Sequence, residues 1–118
     1  KKALESMEKA RKSLARKPRS ILIFPEGTRS LDGKIQPFKK GGIIFAINSG
    51  LPIVPMACCG TFDVLFKGSK NFNPKPVELR FAQPIHTEQD NMDQRNRITK
   101  QVHDEVERLK NEWAAADQ

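Results

Sequence analysis

The sequence of 118 residues has no tyrosine, one tryptophan and two cysteines. Binding to single-stranded nucleic acid usually needs aromatic stacking platforms. The missing tyrosines, and the position of Trp113 on an acidic stretch, therefore argue against a nucleic-acid partner. Cys58 and Cys59 are adjacent, and neighbours on a strand point to opposite faces, so they are poorly placed to form a disulfide with each other. We interpret both as small strand residues and expect no metal site.

Long apolar runs are missing as well. No run approaches the about 18 residues that a membrane span needs, and no signal-peptide pattern opens the chain. The first residue is lysine, so we expect the natural start to lie upstream. A content of 37% hydrophobic and 30% charged residues is typical of a globular chain rather than a disordered one. We expect residues 1–118 to form a single domain or part of one.

Acidic residues are scarce in the first third of the chain. Residues 1–40 contain 12 Lys and Arg against 4 Asp and Glu, whereas residues 41–118 contain 9 against 10. Such an excess attracts anions, which include phosphorylated substrates, anionic lipid head groups and nucleic acid. For residues 1–19 alone, a solvated basic helix explains the excess equally well.

The apolar pattern predicts a chain of alternating strands and helices. Periodicities of three and four residues predict helices over 2–17, 41–49 and 92–115, the last of them capped by Asp90 or Asn91. Short apolar or alternating runs predict strands over 20–24, 53–59 and 77–81. Because a strand, a helix and a strand in succession imply a parallel pair, we predict an α/β fold. Its sheet is expected to be mixed or parallel, with about three strands and flanking helices.

The most distinctive stretch follows the first predicted strand. Glu26, Gly27, Thr28 and Arg29 place a carboxylate, a glycine, a hydroxyl and a guanidinium at consecutive positions of a long loop. Loops of this length inside compact domains are usually functional. The guanidinium of Arg29 suits a phosphate, which it grips by two parallel hydrogen bonds. Thr28 and Ser30 could donate to phosphate oxygens. Glu26 could accept a bond from a substrate hydroxyl or hold Arg29 in place.

Two further stretches carry positive charge. Lys39 and Lys40 precede the helix predicted over 41–49, whose free amide groups would add to an anion site. The loop over 60–76 mixes phenylalanines and leucine with lysines. We favour core contacts beneath the loop for its apolar side chains, with a membrane surface as the alternative. For the stretch around Arg29, the alternative is a structural turn held by an Arg–Glu salt bridge.

Residues 23–30 resemble the third sequence block of the lysophosphatidic acid acyltransferase (1-acylglycerol-3-phosphate acyltransferase) family. Residues 38–41 and 51–56 resemble the next conserved stretches, in the same order. The resemblance implies a partial glycerolphosphate-acyltransferase-like fold. It also implies transfer of a fatty acyl group from acyl-CoA or acyl-carrier protein to lysophosphatidate, which yields phosphatidate without a cofactor. Glu26, Gly27, Thr28 and Arg29 would bind the acceptor's glycerol phosphate, and the enzyme would work at the cytoplasmic face of a membrane.

The catalytic block of that family is not found in this sequence. There the base is a histidine separated from an aspartate by four residues, which together deprotonate the acceptor hydroxyl. His86 has an aspartate one position too near and His103 has none at that spacing, so we interpret both as surface or capping residues. We therefore expect a C-terminal, acceptor-binding portion of an acyltransferase domain that is inactive by itself. The alternative is a non-catalytic module that binds phospholipid or another anion.

Overall fold

The computed structural model describes residues 2–65 and 68–116. Helix α1 spans Lys2–Arg16, α2 spans Gly41–Ser49, α3 spans Thr61–Val64 and α4 spans Arg95–Ala116, with a 3-10 turn over Met92–Gln94 before α4. Strand β1 spans Met56–Cys59 and β2 spans Glu78–Phe81. Among these helices, none combines the length and the apolar character that a membrane crossing would require.

The sheet differs from the prediction. β1 and β2 pair antiparallel, with Met56 opposite Phe81 and Cys59 opposite Glu78. The described part of the chain has no third strand, because residues 20–24 are not paired with any strand. The predicted parallel strand–helix–strand unit is therefore wrong. After Gly60 the chain turns back and returns beside β1, so the partner of β1 comes from later in the sequence.

The core lies between α2, α4 and the sheet. Ile47 and Ile98 are fully buried and belong to one cluster with Ile43, Ile85 and Val102. The second cluster joins Ala57 and Cys59 of β1 to Leu109 of α4. As predicted from its apolar sequence, α2 is buried, and Gly50 ends it in the left-handed conformation at φ 66°.

Within residues 2–65 and 68–116, one face of the sheet packs on the core and the other is largely exposed. Ala57 and Cys59 point into the core, whereas the opposite face presents Met56, Cys58, Leu79 and Phe81. Leu79 and Phe81 are 56% and 60% exposed. We call these four residues the uncovered sheet face. The apolar segment 21–24 is also exposed, so the apolar surface of this chain is not all gathered into its core.

The two cysteines point to opposite faces of β1, as predicted, and they differ in access. Cys58 is exposed, whereas Cys59 is buried at 1% exposure and its burial raises the pKa of its thiol. Because the thiolate is the reactive form, we expect a thiol reagent to label the exposed Cys58 rapidly. The buried Cys59 should be labelled about a hundred times more slowly, until urea unfolds the chain. If mass spectrometry located the first adduct at any site other than Cys58, the result would contradict this expectation.

Two local predictions are wrong. Neither Asp90 nor Asn91 caps α4 with its side chain. The 3-10 turn precedes that helix, and the side-chain amide of Asn91 donates instead to the Glu88 carboxylate at 2.8 Å. The loop over 60–76 begins with a helix, α3, and Phe72 is 66% exposed rather than part of the core. Phe66 lies outside the described residues.

Candidate functional site

Residues 25–39, which we call the EGTR loop, are closed by two hydrogen bonds at their base. The Lys39 amide donates to the Pro25 carbonyl oxygen at 2.8 Å. The Gln36 amide donates to Glu26 Oε2 at 2.9 Å, and both Glu26 and Gln36 are half-buried. Glu26 therefore joins the two sides of the loop. The sequence did not indicate this role, because Gln36 lies ten residues away.

A tight turn shapes the middle of the loop. The Ser30 hydroxyl donates to Asp32 Oδ1 at 3.0 Å, and the Lys34 amide donates to the same oxygen at 3.0 Å. These two donors, the Lys34 amide first, lower the pKa of the Asp32 carboxyl. The Ser30 proton is thus engaged within the loop. A phosphate contact from Ser30 would require the hydroxyl to turn away from Asp32.

The tip of the loop is anchored to two distant elements. Gly33 has φ 79°, and a Cβ built there would lie 3.1 Å from the Phe62 ring of α3. The Lys110 ammonium of α4 donates to the Gly33 carbonyl oxygen. Sequence reasoning missed Lys110, since a lysine on a long amphipathic helix gives no sign of which carbonyl it will reach. Together these contacts hold the loop against α3 and α4.

The loop presents its cationic residues to solvent. Arg29 is exposed and forms no ion pair with any described residue, so the salt bridge of the alternative interpretation, a turn held by Arg29 and Glu26, is absent there. Lys39 lies against Gly27, because a Cβ on Gly27 would come within 2.9 Å of the Lys39 ammonium nitrogen. Gly27 and Thr28 are exposed as well.

Lys40 lies directly before the first turn of α2. It occupies the N-cap position, and no side chain caps that turn by a hydrogen bond. Lys40 itself is exposed and carries no ion pair within the described ranges. Arg29, Lys39 and Lys40 therefore place three exposed cationic groups on the loop and at the amino end of α2, and positive charge of this kind attracts an anion.

The two histidines differ in their relation to this loop, because the ring of His103 packs on Phe38 near its end. His86 is exposed, as expected. His103 is half-buried, with its ring 4.7 Å from the Phe38 ring in an edge-on arrangement, so it packs rather than caps. Donor atoms of His103, Asp104 and Glu107 lie within 4.8 Å of one another on α4. Asp104 already binds Lys100 at 2.6 Å, and clustered acidic groups alone do not indicate a metal site.

We expect Glu26→Ala to loosen the EGTR loop. Without the carboxylate the Gln36 amide loses its acceptor, and a hydrogen bond to a charged group contributes about 1.5–3 kcal/mol. The Gln36 amide should then exchange with solvent about tenfold faster or more, measured by hydrogen exchange with NMR detection. Glu26→Gln keeps an acceptor oxygen and should protect this amide. Equal exchange in Glu26→Ala and the parent would show that Glu26 does not hold the loop.

Comparison with known proteins indicates the family of this chain. The family model described as Acyltransferase matches residues 1–59, which is half of the chain. A 1-acyl-sn-glycerol-3-phosphate acyltransferase of Limnanthes douglasii is 40% identical over 102 residues, covering 86% of this chain and 36% of that protein. The alpha form from Homo sapiens is 30% identical over 86 residues, covering 73% of this chain and 30% of that protein. The chain thus spans about a third of the length of these curated relatives.

A solved structure agrees with the sequence relatives. The 1-acyl-sn-glycerophosphate (LPA) acyltransferase PlsC from Thermotoga maritima superposes with a TM-score of 0.79 at 31% identity. The match covers 96% of this chain and 44% of PlsC. The family model, the named relatives and this fold lead to one conclusion: the chain belongs to the acyltransferase family, alongside the 1-acyl-sn-glycerol-3-phosphate acyltransferases.

Proposed function

We propose that this chain is the acceptor-binding part of an enzyme that acylates lysophosphatidate to phosphatidate. The single observation that carries the proposal is the EGTR loop. It is held at its base by Glu26 and presents an exposed Arg29 that has no ion pair in the described part of the chain. A guanidinium left unpaired on a braced loop suits the phosphate of lysophosphatidate. The names of the relatives support the choice of this acceptor.

The seven residues predicted to bind the acceptor each have a role in this proposal. Arg29 grips the phosphate, while the Thr28 hydroxyl donates to it. Gly27 leaves room for the Lys39 side chain, which adds positive charge together with Lys40. Glu26 holds the loop closed through Gln36 and retains a second oxygen, which a glycerol hydroxyl could bind. Ser30 shapes the turn with Asp32 and reaches the phosphate only after releasing it.

The reaction proposed for the complete active site is acyl transfer from a thioester. The free hydroxyl of lysophosphatidate attacks the thioester carbonyl carbon of acyl-CoA or acyl-carrier protein. A new ester bond forms, the carbon–sulfur bond breaks, and the donor leaves as a thiol that takes up the hydroxyl proton. A base must remove that proton. The resemblance assigns it to a His–Asp pair that is not among residues 1–118, so this chain contributes binding and orientation and uses no cofactor.

We further propose that residues 1–118 form the C-terminal portion of one acyltransferase domain, working at the cytoplasmic face of a membrane. The net charge of +7 supports attraction to anionic lipid. Lysophosphatidate carries an acyl chain, so an enzyme that acts on it benefits from contact with the bilayer. A nucleic-acid partner forms no part of the proposal.

A chimera tests this function. The chain replaces the matching segment of Thermotoga maritima PlsC, and the purified protein is assayed for phosphatidate with acyl-CoA and with acyl-carrier protein as donors. We expect phosphatidate to form and Arg29→Ala to abolish most of it, while Arg16→Ala serves as the matched control on α1. The isolated chain should form none. A folded chimera that binds lysophosphatidate without acylating it would instead favour a non-catalytic anion-binding module.

A further inference from the structure

Two neighbouring loops expose large apolar side chains beside lysines. Leu31 of the EGTR loop is 77% exposed, and Phe72 in the segment after α3 is 66% exposed. Leu65 and Val77, at the two ends of that segment, are 36% and 56% exposed. Large apolar side chains exposed together on adjoining loops are typical of a contact site.

The two loops are held next to each other by contacts already described. The Phe62 ring of α3 packs on Gly33 at the tip of the EGTR loop. The segment carrying Phe72 begins where α3 ends, and the Asn73 amide closes it by donating to the Val64 carbonyl oxygen at 2.8 Å. Leu31 and Phe72 therefore belong to adjoining loops of a braced surface.

The charge of this surface favours an anionic partner. Residues 64–77 contain three lysines and no acidic residue. Lys34, Lys70 and Lys75 are exposed. Against them stand Asp63, which is exposed, and Asp32, whose carboxylate is bound by the Lys34 amide and the Ser30 hydroxyl. Apolar side chains among lysines are the composition with which peripheral proteins enter the interface of an anionic bilayer.

We propose that this surface, formed by Leu31, Lys34, Lys70, Phe72 and Lys75, docks on an anionic lipid bilayer. Leu31 and Phe72 enter the boundary between head groups and acyl chains, and the lysines bind the head-group phosphates. Docked in this way, the EGTR loop lies at the level of the head groups, where a lysophosphatidate phosphate would be found. The purpose of this docking rests on the proposed function, but lipid binding is measured independently of it.

Vesicle sedimentation of the chain tests the proposal. Phosphatidylcholine vesicles with and without phosphatidylglycerol are titrated against the parent, Leu31→Ser with Phe72→Ser, and Leu79→Ser with Phe81→Ser. The last pair is the matched control, because it removes one leucine and one phenylalanine of similar exposure from the uncovered sheet face. We expect the first pair to weaken binding at least tenfold and the control pair to change it less than threefold, on the usual scale of apolar burial. Replacing Lys70 and Lys75 by Gln should reduce binding about fivefold per lysine on anionic vesicles only.

The results distinguish docking through these two loops from a general attraction of the chain to lipid. Absence of binding by the parent, equal loss in both double variants, or loss in the control alone would each overturn the proposal. Glycerol 3-phosphate affinity, measured on the same proteins, should be unchanged in Leu31→Ser with Phe72→Ser. If the parent binds vesicles through the loops but not glycerol 3-phosphate, the phosphate assignment fails while the docking surface stands.

Discussion

Arg29→Ala should lower the affinity of the chain for glycerol 3-phosphate or a soluble lysophosphatidate about tenfold or more. A charge-assisted hydrogen bond contributes about 1.5–3 kcal/mol, and each 1.4 kcal/mol is a tenfold change in affinity. Arg29 is exposed on a loop closed by the Glu26–Gln36 bond. Its removal should therefore remove the phosphate contact without unfolding the loop. Phosphorus NMR or calorimetry at low salt gives the affinity, since salt screens exposed charges.

Two variants make this result specific. Arg29→Lys keeps the charge but loses the pair of parallel hydrogen bonds, so its affinity should lie between those of the parent and Arg29→Ala. Arg16→Ala removes the same charge from α1, outside the EGTR loop, and should leave the affinity nearly unchanged. If Arg16→Ala weakens binding as much as Arg29→Ala, general attraction to a basic surface accounts for the binding and our assignment of Arg29 is wrong.

Gly60→Ala should be among the most destabilising substitutions in the chain. Gly60 has φ 90°, and a Cβ there would lie 2.7 Å from the Pro76 carbonyl oxygen. An L-residue in this backbone conformation costs about 1–2 kcal/mol, and forcing a methyl group against backbone adds about 1–3 kcal/mol. We expect the free energy of unfolding to fall by about 2–5 kcal/mol, a large part of the stability of a domain this size. Urea unfolding followed by circular dichroism measures it.

Gly68 supplies the matched control for that experiment. It has φ 86°, and a Cβ there would meet nothing within 4 Å. Gly68→Ala therefore carries the backbone cost alone, about 1–2 kcal/mol. The difference between the two variants isolates the clash with Pro76. Equal losses in the free energy of unfolding would mean that the turn after β1 adjusts freely to the methyl group. The close approach of Gly60 to Pro76, just before β2, would then contribute nothing to the fold.

Helices α1, α2 and α4 could be predicted from the sequence because their causes are local. The apolar run between Lys40 and Gly50 specified a buried helix and its end, and the rhythm from Ile98 to Trp113 specified α4. The opposite orientations of Cys58 and Cys59 followed from strand geometry. The pairing of strands could not be predicted in this way, because an apolar run does not indicate which segment it will pair with. That is why β1 was assigned a parallel partner upstream and instead pairs with β2.

In the candidate site, too, local features could be predicted from the sequence and contacts between distant residues could not. The residue types of the EGTR loop, and the position of Lys40 before α2, could be read from consecutive letters. The hydrogen bond from Gln36 to Glu26 and the tether from Lys110 to Gly33 join residues 10 and 77 positions apart. No periodicity encodes such contacts. They add a role for Glu26, holding the loop closed, to the two that the sequence left open, a bond to a substrate hydroxyl or to Arg29.

The uncovered sheet face has a thermodynamic consequence. Met56, Cys58, Leu79 and Phe81 remain wholly or partly in water in this fold, so any polypeptide that covers them binds the folded chain in preference to the unfolded one. By mass action, such a ligand at a free concentration a hundred times its Kd adds about 2.7 kcal/mol to the free energy of unfolding. The melting temperature of this chain would then rise with the concentration of that ligand. A thermal-shift screen of polypeptides would therefore identify the ligand.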